Sequence, residues 1–172
     1  MKLDSSDFEI FGVPERFSQD RAQLDARWKA LQGNAHPDRF AAEGGSAQRA
    51  AMQWAVRINE AYRRLKDPIA RATMLCEANG APIEANDNTA MPGPFLIEQM
   101  QWRESLDDAA DGEAVEALAD EVAARERAML AELGDTIDRR QDWKAAAQQV
   151  RALMFVVRFR DDIERRLEAL EQ

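Results

Sequence analysis

Apolar positions recur at helical spacing on both sides of a short polar interruption between residues 20 and 66. Leu24, Trp28 and Leu31 form one stripe and predict a helix from about Asp20 to Gln32. Trp54, Ile58, Ala61, Tyr62 and Leu65 repeat the pattern, predicting a second helix that follows a Gly44-Gly45-Ser46 breaker and ends near Lys66. Two antiparallel helices joined by a polar loop would pack stripe on stripe. Phe8, Ile10, Phe11 and Val13, ahead of Pro14, are placed to close one end of that core. Asp67-Pro68 restarts a short helix with Ile69, Ala72 and Leu75 inward, and Asn79-Gly80 stops it.

Three longer helical patterns follow, over about 95–110, 113–138 and 142–170. Val115, Leu118, Val122, Met129, Leu133 and Ile137 keep helical phase in the middle one. Gly134 interrupts it, at a cost of ~1 kcal/mol against alanine or as the mark of a bend. In the last, Val150, Met154 and Val157 share a face, and Val156, Ile163 and Leu170 recur on another. Short turns at 111–112 and 139–142 make an antiparallel three-helix bundle the expected arrangement. Between the two helical regions, residues 80–94 hold two of the eight glycines and three of the six prolines, the composition of a linker or long loop. The expected fold is therefore all-α: a helical hairpin unit over 1–79, a connection over 80–94, and a bundle over 95–172.

The first bundle helix has more apolar surface than one stripe requires. Phe95, Trp102 and Leu106 lie within roughly 40° of one another at 100° per residue. Leu96, Ile97 and Met100 lie about 100° to 200° away, nearly opposite. That second face also carries Arg103 and Glu104, with Gln101 and Asp108 at its edge, and Phe155 of the last helix can reach it. An apolar centre with a charged rim is the composition of a protein-binding patch, and burial against a neighbouring element is the alternative.

Composition narrows the classes. With 172 residues, 45% hydrophobic and 32% charged, the chain can bury one solid core or two small ones. The longest apolar run, Ala152 to Val157, is far short of the ~20 residues of a membrane span. The first residues lack a charged-then-apolar leader, so a cytoplasmic protein is expected. A single cysteine, Cys76, rules out an internal disulfide and a multi-cysteine zinc site. Residues 1–80 contain 12 basic and 11 acidic side chains, whereas residues 81–172 contain 11 and 21. Such an acidic chain is a poor ligand for nucleic acid.

The polar interruption holds the only histidine, in the tripeptide His36-Pro37-Asp38. Pro37 pushes Ala35 and His36 away from helical dihedrals, and Gly33-Asn34 are suited to end the preceding helix. Asp38, exposed and acceptor-only, is suited to a forked bond with an arginine on a partner. The alternative is an ordinary surface histidine in a Pro-Asp turn. Catalysis through His36 is not expected, since there is no accompanying Ser or Cys motif and no GxxxxGK[ST] phosphate loop.

A helix, an HPD loop and a second helix resemble a J domain, the module with which co-chaperones stimulate DnaK-type ATPases. The chain as a whole resembles the HscB family of bacterial iron–sulfur cluster assembly. The resemblance rests on FGVP (11–14), HPDRF (36–40), INEAYRRLKDPIARA (58–72) and above all FLIEQMQWRESLDD (95–108). It implies an N-terminal J domain that engages an HscA-like chaperone through His36, Pro37 and Asp38, with Arg27, Lys29 and Arg39 as the basic flank. It implies a C-terminal bundle that binds an IscU-like scaffold through Leu96, Ile97, Met100, Gln101, Arg103, Glu104, Asp108 and Phe155. Neither enzymatic activity nor a cofactor or metal is implied. Gln101 and Asp108 stand where the family more usually has glutamates, and Arg39 replaces a common lysine. A general J-type co-chaperone for another client would show a Gly/Phe-rich segment and paired cysteines, which this chain lacks. A helical adaptor without chaperone role is the remaining alternative.

Overall fold

Ser6 opens the first helix by accepting a hydrogen bond from the Glu9 amide at 3.1 Å, and Gly12 closes it with a left-handed φ of 61°. In this computed structural model, which describes residues 2–84 and 90–172, every regular element among the described residues is helical. The chain divides into two compact units, Met1–Arg71 and Ala72–Gln172.

In the first unit, α1 (Asp7–Phe11) buries Phe8, Ile10 and Phe11, and Val13 follows them inward. These residues close the core as expected, although so short a run gives no helical period to read. α2 (Arg21–Ala35) starts at Asp20, whose carboxylate accepts from the amides of Ala22 and Gln23. It runs three residues past the expected end at Gln32. Gly33 and Asn34 stay helical because the Arg39 guanidinium holds the terminus, donating to the Gly33 carbonyl at 3.1 Å and to Asn34 Oδ1 at 3.3 Å. The expected loop is largely a 3-10 helix, Pro37–Glu43, and α3 (Gly45–Lys66) begins inside the glycine breaker.

α2 and α3 pack through Leu24, Ile58, Ala61 and Leu65. Trp28, Leu31, Trp54 and Tyr62 are only half-buried, and a ≈ 370 Å³ cavity lined by Leu31, Phe40, Ala51 and Trp54 lies at the loop end. A polar seam completes the pairing. Asn59 Oδ1 accepts from Trp28 Nε1 at 2.9 Å and from Gln32 Nε2 at 2.6 Å, and the Tyr62 hydroxyl donates to Asp25. That bond, with Arg21 alongside, holds Asp25 below the usual carboxylate range.

α4 (Pro68–Ala78) starts in one unit and ends in the other. In the first, the buried Arg71 donates to the carbonyls of Phe17 and Leu65 and lies over the Phe17 ring. In the second, Ala72, Leu75 and Cys76 are buried. The compact units thus part at 71/72, inside the helix, whereas the composition drew a boundary at 79/80. The difference arises because the C-terminal half of α4 contributes its apolar side chains to the second core. Burial pushes the Cys76 thiol up to about 11, so it is a protonated core group at neutral pH.

The second unit contains α5 (Gly93–Asp108), α6 (Gly112–Gly134), a π-helical stretch (Asp135–Arg140) and α7 (Trp143–Glu171). Asp111 and Asp142 cap α6 and α7 by accepting from the amides of Ala114 and Ala145. The α6 stripe is buried as expected, including Ile137 beyond the helix proper. Gly134 keeps right-handed dihedrals, and the backbone widens into the π-helical stretch after it, ending at Gln141 with φ 52°. In α7 the buried residues include Ala146, Val150, Leu153, Val156, Phe159 and Ile163, while Met154 and Val157 are half-buried and Leu170 is exposed. Both α5 and α6 press on α7, which widens its buried arc, and its last turns are largely exposed. Arg151, buried on α7, donates to the carbonyls of Ile83 and Ala90, so both described flanks of the connection are tied to the bundle. The Asn86-Asp87-Asn88-Thr89 part of the connection lies outside the described residues.

The buried Asp7 carboxylate ties α1 to α3, pairing with Arg57 at 2.8 Å and Arg64 at 2.7 Å. Burial by itself would raise its pKa, but hydrogen bonds from Arg64 and Arg57, with their charges, outweigh that and hold the carboxyl below its ordinary value. A depressed native pKa contributes stability above the unfolded value, and this is lost as pH falls through the native one. Asp7→Asn should therefore destabilise the protein by about 2–4 kcal/mol at neutral pH and by less in acid. Urea unfolding at the two pH values measures this, and equal stability of variant and parent would contradict it.

Candidate partner-binding surfaces

The HPD loop is built by local bonds. His36 has extended dihedrals (φ −61°, ψ 128°) and caps the 3-10 helix, its Nδ1 accepting from the Asp38 amide at 3.2 Å. An accepting Nδ1 leaves the imidazole proton on Nε2. Pro37 supplies the first helical φ without a donor to satisfy. The Asp38 carboxylate is left 92% exposed, with its Oδ2 3.6 Å from His36 Nδ1. The arrangement offers a partner a solvated carboxylate on a stiffened backbone.

The expected basic flank is not gathered into one face. Arg27 and Lys29 are both exposed, but two helical steps place them about 200° apart on α2. The Arg27 guanidinium also lies close to Gly12, 3.2 Å from where a Cβ would stand there. Arg39 is engaged with the end of α2. Its role in this structure is to position the loop.

The α5 residues sort as helix phase predicts. Phe95, Trp102 and Leu106 are buried, while Leu96, Ile97 and Met100 are 44%, 61% and 70% exposed. Phe155 reaches the same surface from α7. It is half-buried, stacked on Phe159 and edge-on to Phe95, and it shares a depression with Met100, Arg103, Glu104 and Asp108. Seven of the eight expected patch residues belong to α5 itself, and Phe155 joins them through that depression.

Charges border the patch on both sides. Gln101, Glu104 and Asp108 are exposed and line a groove toward α6 that also includes Glu121. Arg103 turns toward α7, pairing with Asp162 at 2.9 Å, its guanidinium 5.0 Å from the centre of the Phe159 ring. Glu98 pairs with Arg125 of α6 at 2.8 Å, steadying the other side of the helix. Among the described residues no grouping of His, Cys, Asp and Glu is placed to hold a metal ion, and no helix is long and apolar enough to cross a membrane.

The co-chaperone HscB homolog of Burkholderia multivorans is 47% identical over 174 residues, with 99% of each chain covered. The chain belongs to the HscB family of co-chaperones. The corresponding HscB homolog of Bordetella avium is 45% identical over 157 residues, covering 91% of this chain and 94% of that one. The family model of the HSCB C-terminal oligomerisation domain matches residues 91–164, which include the α5 patch and Phe155. Among solved structures, chaperone HscB from Vibrio cholerae superposes with a TM-score of 0.80 at 35% identity, covering 96% of this chain and 99% of that chain. The human co-chaperone HscB shares the fold, with a TM-score of 0.87 at 22% identity over 100% of this chain and 86% of its own. The all-helical plan, a J domain followed by a C-terminal helical bundle, is the HscB plan.

Asp162, Arg165 and Arg166 adjoin the patch across the α5–α7 cleft and were not expected from sequence. Asp162 and Arg166 follow Phe155 by seven and eleven residues, within about 20° of it at 100° per residue, so the phase that brings Phe155 to this surface also brings them. The exposed and buried faces of α5 should respond differently to truncation. Changing Leu96, Ile97 and Met100 together to alanine should leave melting nearly unchanged, since exposed substitutions are each usually within about 0.5 kcal/mol. Phe155→Ala should cost about 2–3 kcal/mol, because that ring belongs partly to the core. Thermal denaturation compares them directly. A triple variant melting well below Phe155→Ala would mean that α5 has been assigned the wrong buried face.

Proposed function

We propose that this HscB-family chain delivers an IscU-like iron–sulfur scaffold to an HscA-like, DnaK-type chaperone in the cytoplasm and stimulates its ATP hydrolysis, in the service of iron–sulfur protein maturation. The observation that carries the reading is the pairing, on one chain, of a solvated Asp38 in a capped HPD loop with an unburied apolar patch on α5. Each has the chemistry of a recognition surface, and neither has the chemistry of a reaction centre. In this reading the scaffold seats an apolar segment on Leu96, Ile97 and Met100, and Phe155 forms the wall toward α7. Gln101, Glu104, Asp108 and Arg103 form the charged rim that sets its register. Asp38 takes a forked bond from an arginine of the chaperone, while His36 and Pro37 hold the loop in the required shape. Lys29 adds positive charge beside the loop, Arg39 acts by holding α2, and Arg27 contributes least because it lies against Gly12.

Joining the two surfaces covalently raises the effective concentration of scaffold at the chaperone without requiring new contacts. The chain's role is then binding in two places at once, and hydrolysis belongs to the chaperone.

Asp38→Ala tests the J-domain half. The side chain makes little contact with the core, so melting should be unchanged. Chaperone stimulation should fall by a factor between roughly thirty and several thousand, corresponding to the ~2–5 kcal/mol lost when one partner of an interfacial charge pair is removed. Steady-state ATPase assays with chaperone and scaffold present measure it. Stimulation near the parent level would refute the reading.

A further inference from the structure

The C-terminal region is strongly acidic, with 21 acidic and 11 basic side chains over residues 81–172. Against that background one cleft has the opposite character. Between α5 and α7, a space of ≈ 430 Å³ is lined by Arg103, Arg165 and Arg166 together with Leu106, Asp107 and Asp162. Asp162 serves two of these arginines, Arg103 at 2.9 Å and Arg165 at 3.6 Å. Arg166 donates to the neutral carbonyl of Ala109 at 3.5 Å, the long limit of a hydrogen bond. Three guanidiniums therefore line the cleft against two carboxylates, and Arg165 has 75% of its side chain in solvent.

The cleft is continuous with the apolar patch. Arg103 and Asp107 line both this cleft and the depression that contains Met100 and Phe155. The other edge of the patch has the reverse sign, because Glu104, Asp108 and Glu121 line the groove toward α6 and no basic residue does. A partner seated on Leu96, Ile97 and Met100 thus meets positive charge on its α7 side and negative charge on its α6 side.

We propose that the α5–α7 cleft is an acidic-residue subsite for the scaffold, in which Arg165 and Arg166, with Arg103, take carboxylates lying beside the scaffold's apolar anchor. This rests on the reading of the α5 patch as the scaffold site and extends it to residues of α7. Guanidinium groups match carboxylates through paired donors, and a sign reversal across the patch penalises docking in the opposite orientation. Arg165 and Arg166 are specificity residues, acting through charge at the rim, so their effect is largest at low salt.

The test is titration calorimetry of the full-length protein with a purified IscU-type scaffold at low and high salt. The variant R165E/R166E is compared with R127E/K144E, which makes the same change in net charge at exposed positions elsewhere in α6 and α7. Circular dichroism checks that each variant is folded, and R165Q/R166Q removes the positive charge without adding acid. R165E/R166E should bind about tenfold or more weakly at low salt and lose much of the parent's salt dependence, whereas R127E/K144E should stay within about twofold of the parent. R165Q/R166Q should show a smaller loss in the same direction. The subsite is refuted if R165E/R166E matches R127E/K144E in affinity and salt dependence while the Leu96, Ile97 and Met100 triple variant has lost binding. If the triple variant binds as the parent does, the patch reading fails, and the subsite with it.

Discussion

Four aromatic rings determine which way α5 faces. Trp102 and Phe155 both stack on Phe159, and Phe95 closes the group edge-on to Trp102 and Phe155, with centroids 5.9–6.1 Å apart. Burying each large apolar side chain contributes about 1.5–3 kcal/mol, and each aromatic pair adds ~0.5–1.5 kcal/mol. Turning the helix half a revolution would bury Leu96, Ile97 and Met100, but it would also take the Glu104 carboxylate out of water. An uncompensated buried charge costs more than those aliphatic groups return. The exposed patch is therefore a consequence of how α5 is fastened, and it exists before any partner arrives.

The first unit solves a different problem, that of presenting a carboxylate on a loop without letting the loop wander. Pro37 removes backbone freedom, His36 caps the 3-10 helix that follows, and Arg39 reaches back to the end of α2. Beneath them the polar seam of Asn59, Trp28 and Gln32 sets how α2 lies along α3, and the Asp7 pairs secure α1 to α3. Ordering of this kind lowers the entropy lost when a partner binds. Both surfaces are thus shaped in advance by interactions within the chain itself.

What could be read from the sequence was what depends on period. The α6 stripe from Val115 to Ile137 and the division of α5 into Phe95, Trp102, Leu106 against Leu96, Ile97, Met100 follow from 100° per residue alone, and the burial agrees. Features that depend on long-range neighbours were not legible. Period cannot show that α7 is pressed from two sides or that its last turns are largely exposed, so Met154 is only half-buried and Leu170 is exposed although they are in phase with the buried Val150 and Ile163. It cannot show that Arg39 folds back on Gly33, or that Arg103 turns to pair with Asp162 across a cleft. The π-helical stretch after Gly134 and the 3-10 helix after Pro37 are departures from the α period, so a period-based reading places a bend and a loop there.

The central claim is that two preformed and separate surfaces serve two partners. Methyl-resolved NMR of the intact protein tests it most directly, with Leu96, Ile97 and Met100 reporting on the α5 patch and Ala35, Ala41 and Ala42 on the HPD region. Adding an IscU-type scaffold should shift or broaden the first set and leave the second unchanged, and adding an ATP-bound HscA-type chaperone should do the converse. The account is contradicted if the scaffold perturbs the loop alanines while Ile97 and Met100 stay in place.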